Sequence, residues 1–136
     1  MPTLFTQIIS GELSSHKIWE DNYTFAFLDI YPVSAGHVLI VPKIEVDYFV
    51  DVPEPYYTKV FQTAKKISPA IQQVTISRRI AMLVQGDEVP HFHLHLIPIY
   101  NDQTLLGAKS KASQEQLKDT QQQIIKHFSV HLDIQE

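Results

Sequence analysis

Cysteine is absent from this 136-residue chain. That excludes a disulfide scaffold, a thiolate zinc finger and a cysteine nucleophile together. Long apolar runs are absent as well: the longest are a few residues, such as Val38-Leu39-Ile40-Val41, against the ~20 that a helix needs to cross a bilayer. No membrane partner is expected. The opening residues Met1-Pro2-Thr3-Leu4-Phe5 lack a basic stretch leading into an apolar one, so no secretory signal is expected and the expected location is cytoplasmic. Positive charge is not in excess. Lys and Arg number 11 against 15 Asp and Glu, a formal net charge of -4 with interspersed signs, so no basic stripe offers itself to a nucleic-acid backbone. No internal repeat, low-complexity tract or glycine/serine linker divides the chain. Residues 1–136 are expected to form one domain, long enough to bury a single sizeable core.

The hydrophobic pattern predicts an α+β fold. A short helix is expected around Thr3 to Ser10, with Pro2 near its start and Gly11 just beyond its end. Strand-like runs follow at His16–Glu20 and Tyr23–Asp29, joined by the turn dipeptide Asp21-Asn22. A third run, His37–Val41, suits a strand covered on both faces. Asp51-Val52-Pro53-Glu54 reads as a capping box. After it, Tyr57, Val60, Phe61, Ala64, Ile67 and Ile71 form one apolar stripe at helical spacing, with Pro69 expected to kink or break the helix. Two more strands, Arg79–Val84 and His91–Ile99, complete a five-stranded, mainly antiparallel sheet. A final helix opens on the capping sequence Ser113-Gln114-Glu115-Gln116, with sparse apolar positions at Leu117, Ile124, Ile125 and Phe128. The stripe from Tyr57 to Ile71 offers more apolar area than a monomer leaves in water, so a two-fold homodimer is expected.

Three of the seven histidines fall within Val89-Pro90-His91-Phe92-His93-Leu94-His95-Leu96-Ile97-Pro98. On a strand, side chains alternate between faces. His91, His93 and His95 then share one face while Phe92, Leu94 and Leu96 pack the other. Residue types alone leave several roles open. The row is the polar face of an edge strand, or part of a zinc site completed by Asp29, Asp87 or Glu88, or a centre for nucleophilic and acid–base chemistry at phosphorus.

The run resembles the signature of the histidine triad (HIT) family of nucleotide-binding proteins. Two further blocks resemble that family in order. Phe5-Thr6-Gln7-Ile8-Ile9-Ser10-Gly11-Glu12 is similar to its opening helix. Ala26-Phe27-Leu28-Asp29-Ile30-Tyr31-Pro32, followed by Ala35-Gly36-His37-Val38-Leu39-Ile40-Val41-Pro42-Lys43, is similar to its second block. The likeness covers about residues 3–100; residues 101–136 are less characteristic.

The resemblance, to the Hint-like branch in particular, implies a fold in which two protomers pair across their sheets and bind a purine nucleotide. It implies a hydrolase acting on nucleoside phosphoramidates or related nucleotidyl substrates, releasing a nucleoside monophosphate such as AMP. By position, His93 would be the nucleophile. His95 would contact the phosphoryl oxygens or the departing atom, and His91 and His37 would complete the imidazole network. Asp29 would accept from the ribose hydroxyls, with Phe5, Ile8, Leu13, Phe27 and Ile30 around the base. Glu88 and Val89 fall where relatives hold the phosphate. There the chain departs from the pattern: many relatives carry a longer glycine-rich loop, whereas Gln85-Gly86-Asp87-Glu88-Val89 is compact and acidic. Two carboxylates repel a phosphate unless they point away. No cofactor is required by such a route. The alternatives are a dinucleoside-polyphosphate hydrolase or nucleotidyl transferase of the same family, a non-catalytic nucleotide-binding module, and a zinc protein using the triad as ligands.

Overall fold

A computed structural model describes residues 2–86, 88–101 and 111–135, with side chains of the last helix described through Phe128. The first helix, α1, spans Leu4–Ser10. Thr3 caps it, accepting from Thr6 N at 3.2 Å, and Gly11 ends it in the left-handed region at φ 89°. Strands β1 (Lys17–Glu20) and β2 (Thr24–Leu28) form the expected hairpin. Asp21 builds its turn: Oδ1 accepts from Tyr23 N and Thr24 N, both at 2.8 Å, and Oδ2 from Trp19 Nε1 and Thr24 Oγ1, both at 2.9 Å. Burial pushes the Asp21 carboxyl up, but these donors outweigh it and hold the group below the ordinary carboxylate range.

Strand β3 (Val38–Pro42) precedes a 3₁₀ turn at Phe49–Asp51 and the long helix α2 (Tyr56–Thr75). Strands β4 (Arg79–Leu83) and β5 (Leu94–Ile99) follow, then α3 (Gln114–Gln135). The five strands pair antiparallel in the order β1-β2-β3-β5-β4. Among the described residues no helix is long and apolar enough to cross a membrane.

Both faces of the central strands are covered, which is why β2 and β3 read as unbroken apolar runs. On one face Ala26, Leu28, Val38, Ile40, Leu94 and Leu96 meet Val60, Ala64, Ile67 and Ile71 of α2 and Leu117 and Ile124 of α3. On the other, Phe25, Phe27, Leu39 and Val41 meet Phe5 of α1. The α2 stripe is therefore consumed inside the protomer, with Val60, Ile67 and Ile71 at 0% exposure. Only Tyr57 and Phe61 of the stripe stay partly exposed, so the stripe supplies little of the apolar area on which dimerisation was expected.

Two local expectations are corrected. Asp51-Val52-Pro53-Glu54 does not cap α2, which starts four residues later than the box implies. Pro53 has no N–H to give the cap, and Glu54, preceding Pro55, is biased away from helical backbone. Glu54 instead accepts from Thr58 N at 3.2 Å and from the Thr58 hydroxyl. Nor does Pro69 break α2, which runs through it to Thr75. Pro69 and Lys65, whose carbonyl loses its partner, both lie on the exposed side of the helix, where water can take the missing bond. The box at Ser113 does form: Ser113 Oγ accepts from Gln116 N at 3.1 Å, and Gln116 Oε1 accepts from Ser113 N at 3.3 Å.

Candidate active site

The histidines gather on the α1 face of the sheet. The regular strand begins only at Leu94, so His91 and His93 stand on the irregular lead-in to β5 rather than on the strand predicted from His91. The alternation nevertheless holds: Phe92, Leu94 and Leu96 enter the α2-side core, while His91 and His93 stand edge-on to Phe5 at 5.8 and 5.0 Å between ring centroids. His95, opposite Leu39 in the β3–β5 register, lies with its ring centroid 5.0 Å from that of His93. All four site histidines are buried, with 1% exposure at His37 and His91, 6% at His93 and 9% at His95.

Hydrogen bonding fixes which nitrogen of each neutral ring holds the proton. A backbone N–H can only donate, so His37 Nδ1, 3.0 Å from Val33 N, accepts. The His37 proton then sits on Nε2 and is donated to His95 Nδ1 at 2.9 Å. His95 in turn carries its own proton on Nε2. At His93 the logic ends differently. Nδ1 lies 2.7 Å from the His91 carbonyl, which can only accept, so Nδ1 is the protonated nitrogen and Nε2 keeps its lone pair.

His91 departs from its expected part. Its ring does not join an imidazole row: Nε2 donates to the Pro42 carbonyl at 2.9 Å, and Nδ1 accepts from the Thr3 hydroxyl at 3.0 Å. His91 orients His93 through its backbone carbonyl, not its ring. Burial is the main cause holding His91 below the ordinary histidine pKa, against the opposing pull of the Pro42 carbonyl and the Glu45 carboxylate; the neutral ring fits the bonds it makes. Thr3 and Glu45 are the residues that sequence reasoning missed here. Glu45 Oε1 accepts from Thr3 N at 2.6 Å and Thr6 Oγ1 at 2.7 Å, clamping α1 over the histidines, and those donors hold its carboxyl low.

The other residues singled out from sequence are brought together in part. Phe5 and Phe27 touch at 5.6 Å, and Ile8 and Val89 pack on the same cluster. Phe5 and Phe27 are themselves core, at 4% and 5% exposure, whereas Leu13 (37%) and Ile30 (40%) are open to solvent and stand outside that cluster. Asp29 follows β2; its Oδ1 accepts from Tyr31 N at 2.8 Å and its Oδ2 lies 3.8 Å from His37 Nε2. Gly36, at φ 89° in the same loop, lets the backbone turn into His37. Glu88 is exposed, and Asp87 lies outside the described residues.

Among the described residues, Asp29, His37 and His95 offer ligand atoms within 4.8 Å of one another, and this set, rather than the triad histidines alone, is the one that could hold a cation. A cation there would have to displace the proton shared by His37 and His95. Clefts lined by described residues flank the cluster on two sides. One of about 360 Å³ is lined by Asp29, His37 and the N-terminal part of α3, and one of about 320 Å³ by His93, Phe92, Val84, Tyr48 and Phe49.

The sheet thus carries four histidines on its α1 face, one of them, His93, with Nε2 as its lone-pair nitrogen. The chain matches the HIT domain over residues 10–102, more than half its length, and belongs to that family. Among curated relatives it is 36% identical over 96 residues to the adenosine 5'-monophosphoramidase of Saccharomyces cerevisiae, covering 70% of this chain and 61% of that protein. It is 31% identical over 131 residues to an uncharacterized HIT-like protein of Borreliella burgdorferi, covering 89% and 94% of the two chains. Among solved structures, a HIT-like protein from Bartonella henselae superposes with a TM-score of 0.82 at 25% identity, covering 91% of this chain and 95% of that one.

Proposed function

We propose that the protein is a nucleotide hydrolase that cleaves nucleoside phosphoramidates and releases a nucleoside monophosphate such as AMP through a covalent nucleotidyl-histidine. The observation that carries this reading is the His93 ring, with Nδ1–H donated to the His91 carbonyl and Nε2 left as the lone-pair nitrogen.

In the first step the Nε2 lone pair forms a bond to the α-phosphorus and the bond from phosphorus to the leaving nitrogen breaks. The electron pair goes with the amine, which takes up one proton from solvent, matching the one released in the second step. In the second step water attacks phosphorus, the N–P bond returns its pair to Nε2, and the proton from water goes to solvent. The adduct makes His93 cationic, so its hydrogen bond to the His91 carbonyl strengthens as the intermediate forms. Such an interaction, stronger in the transition state than before it, accelerates the chemistry. His95, polarised by His37 through the 2.9 Å bond, presents Nε2–H to the phosphoryl oxygens or departing atom. Asp29 accepts from the ribose hydroxyls, and Ile8, Leu13, Ile30 and Val89, backed by Phe5 and Phe27, hold the base. Exposed Glu88 serves the phosphate only through its backbone. The similarity to a named phosphoramidase supports the substrate class. The reading includes a two-fold homodimer, supported by the position of β4 at the sheet edge.

Steady-state turnover of adenosine 5'-phosphoramidate tests the reading. His93→Ala is expected to lose ~10⁴-fold or more in kcat, since removing a nucleophile disables the whole unit. AMP binding without turnover by the wild-type protein would instead make this a non-catalytic module.

A further inference from the structure

The segment that follows β3 is fixed to the triad segment on both sides of Glu45. Before it, the Pro42 carbonyl accepts from His91 Nε2 at 2.9 Å. After it, the Val46 carbonyl accepts from Phe92 N at 2.7 Å. The Ile44 carbonyl also accepts from Val46 N at 3.1 Å, which makes a tight three-residue turn with Glu45 at its centre. Glu45 is thereby held in place relative to His91 and Phe92, the two residues that precede His93.

From that position its carboxylate reaches α1. Oε1 accepts from Thr3 N at 2.6 Å and from Thr6 Oγ1 at 2.7 Å, gripping the cap and the first turn of the helix. The helix so held carries Phe5, edge-on to both His91 and His93, and Ile8 in the same apolar cluster. At seven residues, α1 is too short to be stable by itself. Apolar contact holds it to the sheet, but that force is non-directional. The register of α1 over the histidines is set by directional bonds, and Glu45 accepts two of them.

Register matters because the base and the phosphorus of a nucleotide belong to one molecule. A wall that holds the base also sets where the phosphorus stands. Attack needs Nε2 and phosphorus ~3–3.5 Å apart and aligned, and a shift of ~1 Å costs up to ~10²-fold.

We propose that Glu45 is a positioning residue that registers α1, and with it the base, against His93. The proposal rests on the reading of His93 as the attacking group and of α1 as a wall of the base pocket.

The test compares Glu45→Ala and Glu45→Gln with wild type on two substrates. One is adenosine 5'-phosphoramidate. The other is ribose 5-phosphoramidate, which has no base for α1 to hold and is followed in single turnovers with enzyme in excess. Thermal melts set an assay temperature at which every variant is folded. Glu45→Ala should lower kcat/KM for the adenosine compound by ~10-fold and leave that for the ribose compound within about twofold. Glu45→Gln keeps an oxygen able to accept both bonds, and should return the adenosine activity to within about threefold of wild type. Adenosine activity of Glu45→Ala within about twofold of wild type overturns the proposal, as does a Glu45→Gln variant as impaired as Glu45→Ala. An equal loss on both compounds also overturns it, since a loosened fold or a misdirected His93 would not distinguish them. In each of these cases the hydrolase reading stands. A wild-type protein that turns over neither compound overturns that reading, and this proposal with it.

Discussion

Thr3 is the smallest group on which the histidine cluster depends, and its removal has a calculable cost. Its hydroxyl accepts from Thr6 N at 3.2 Å, capping α1, and donates to His91 Nδ1 at 3.0 Å. Thr3→Val keeps the shape and deletes both bonds. Loss of an N-cap costs about 1 kcal/mol. Leaving the Nδ1 of a ring at 1% exposure without its donor costs about 1–3 kcal/mol more. The expected loss is about 2–4 kcal/mol, or a fall in Tm of about 10 °C for a chain of this length. Thr3→Ser keeps the hydroxyl and should stay within about 0.5 kcal/mol of wild type. Urea and thermal melts followed by circular dichroism measure both. A Thr3→Val variant as stable as wild type, or a Thr3→Ser variant as damaged as Thr3→Val, would show that the hydroxyl does not hold His91.

Three further predictions concern stability. At Gly36 an added Cβ would stand 2.5 Å from Thr75 Cγ2 on backbone at φ 89°; Gly36→Ala should cost about 2 kcal/mol or more, and a melt within 0.5 kcal/mol of wild type would refute the close approach. Ile76 ends α2 at φ 54° with 88% of its surface exposed. A β-branched residue there is strained with nothing gained by packing, so Ile76→Asn should raise stability by about 1 kcal/mol, and an unchanged or lower Tm would count against it. The third is pH dependence. Folded His91 has a depressed pKa, so the unfolded chain binds more protons; the stability from its neutral ring is present above the ordinary histidine value of about 6.5 and is lost as pH falls from there through the folded value. Nitrogen NMR should find the His91 ring more neutral than charged at pH 6.5, and a ring half-protonated or more there would refute the assignment.

Much of this architecture can be read from residue order because the pattern and the packing agree. Strands β2 and β3 are apolar throughout since α1 and α2 cover opposite faces, and Ser113 with Gln116 forms the cap their types suggest. Where backbone chemistry outweighs pattern, reading fails. Pro53 removes the donor that a box at Asp51 requires, while Pro69 is tolerated because the freed carbonyl belongs to the wet side of α2. The site divides similarly. The alternation around His93 reveals a shared face, but not that His91 acts through its carbonyl while its ring is spent on Thr3 and Pro42. Those partners lie 88 and 49 residues away in sequence, and a threonine at a helix start gives no local sign of touching a distant imidazole. Tyr48 and Phe49 likewise carry no periodic signal; the tie between Val46 and Phe92 helps bring them near His93.

Everything chemical here turns on the Nε2 lone pair of His93. Incubating the protein with an adenosine phosphoramidate, quenching in base, where phosphorus–imidazole bonds survive better than in acid, and mapping the modified peptide by mass spectrometry tests it directly. An adenylyl group on His93, absent from His93→Ala, is the expected result. A group carried by any other residue, or full turnover by His93→Ala, would contradict the account.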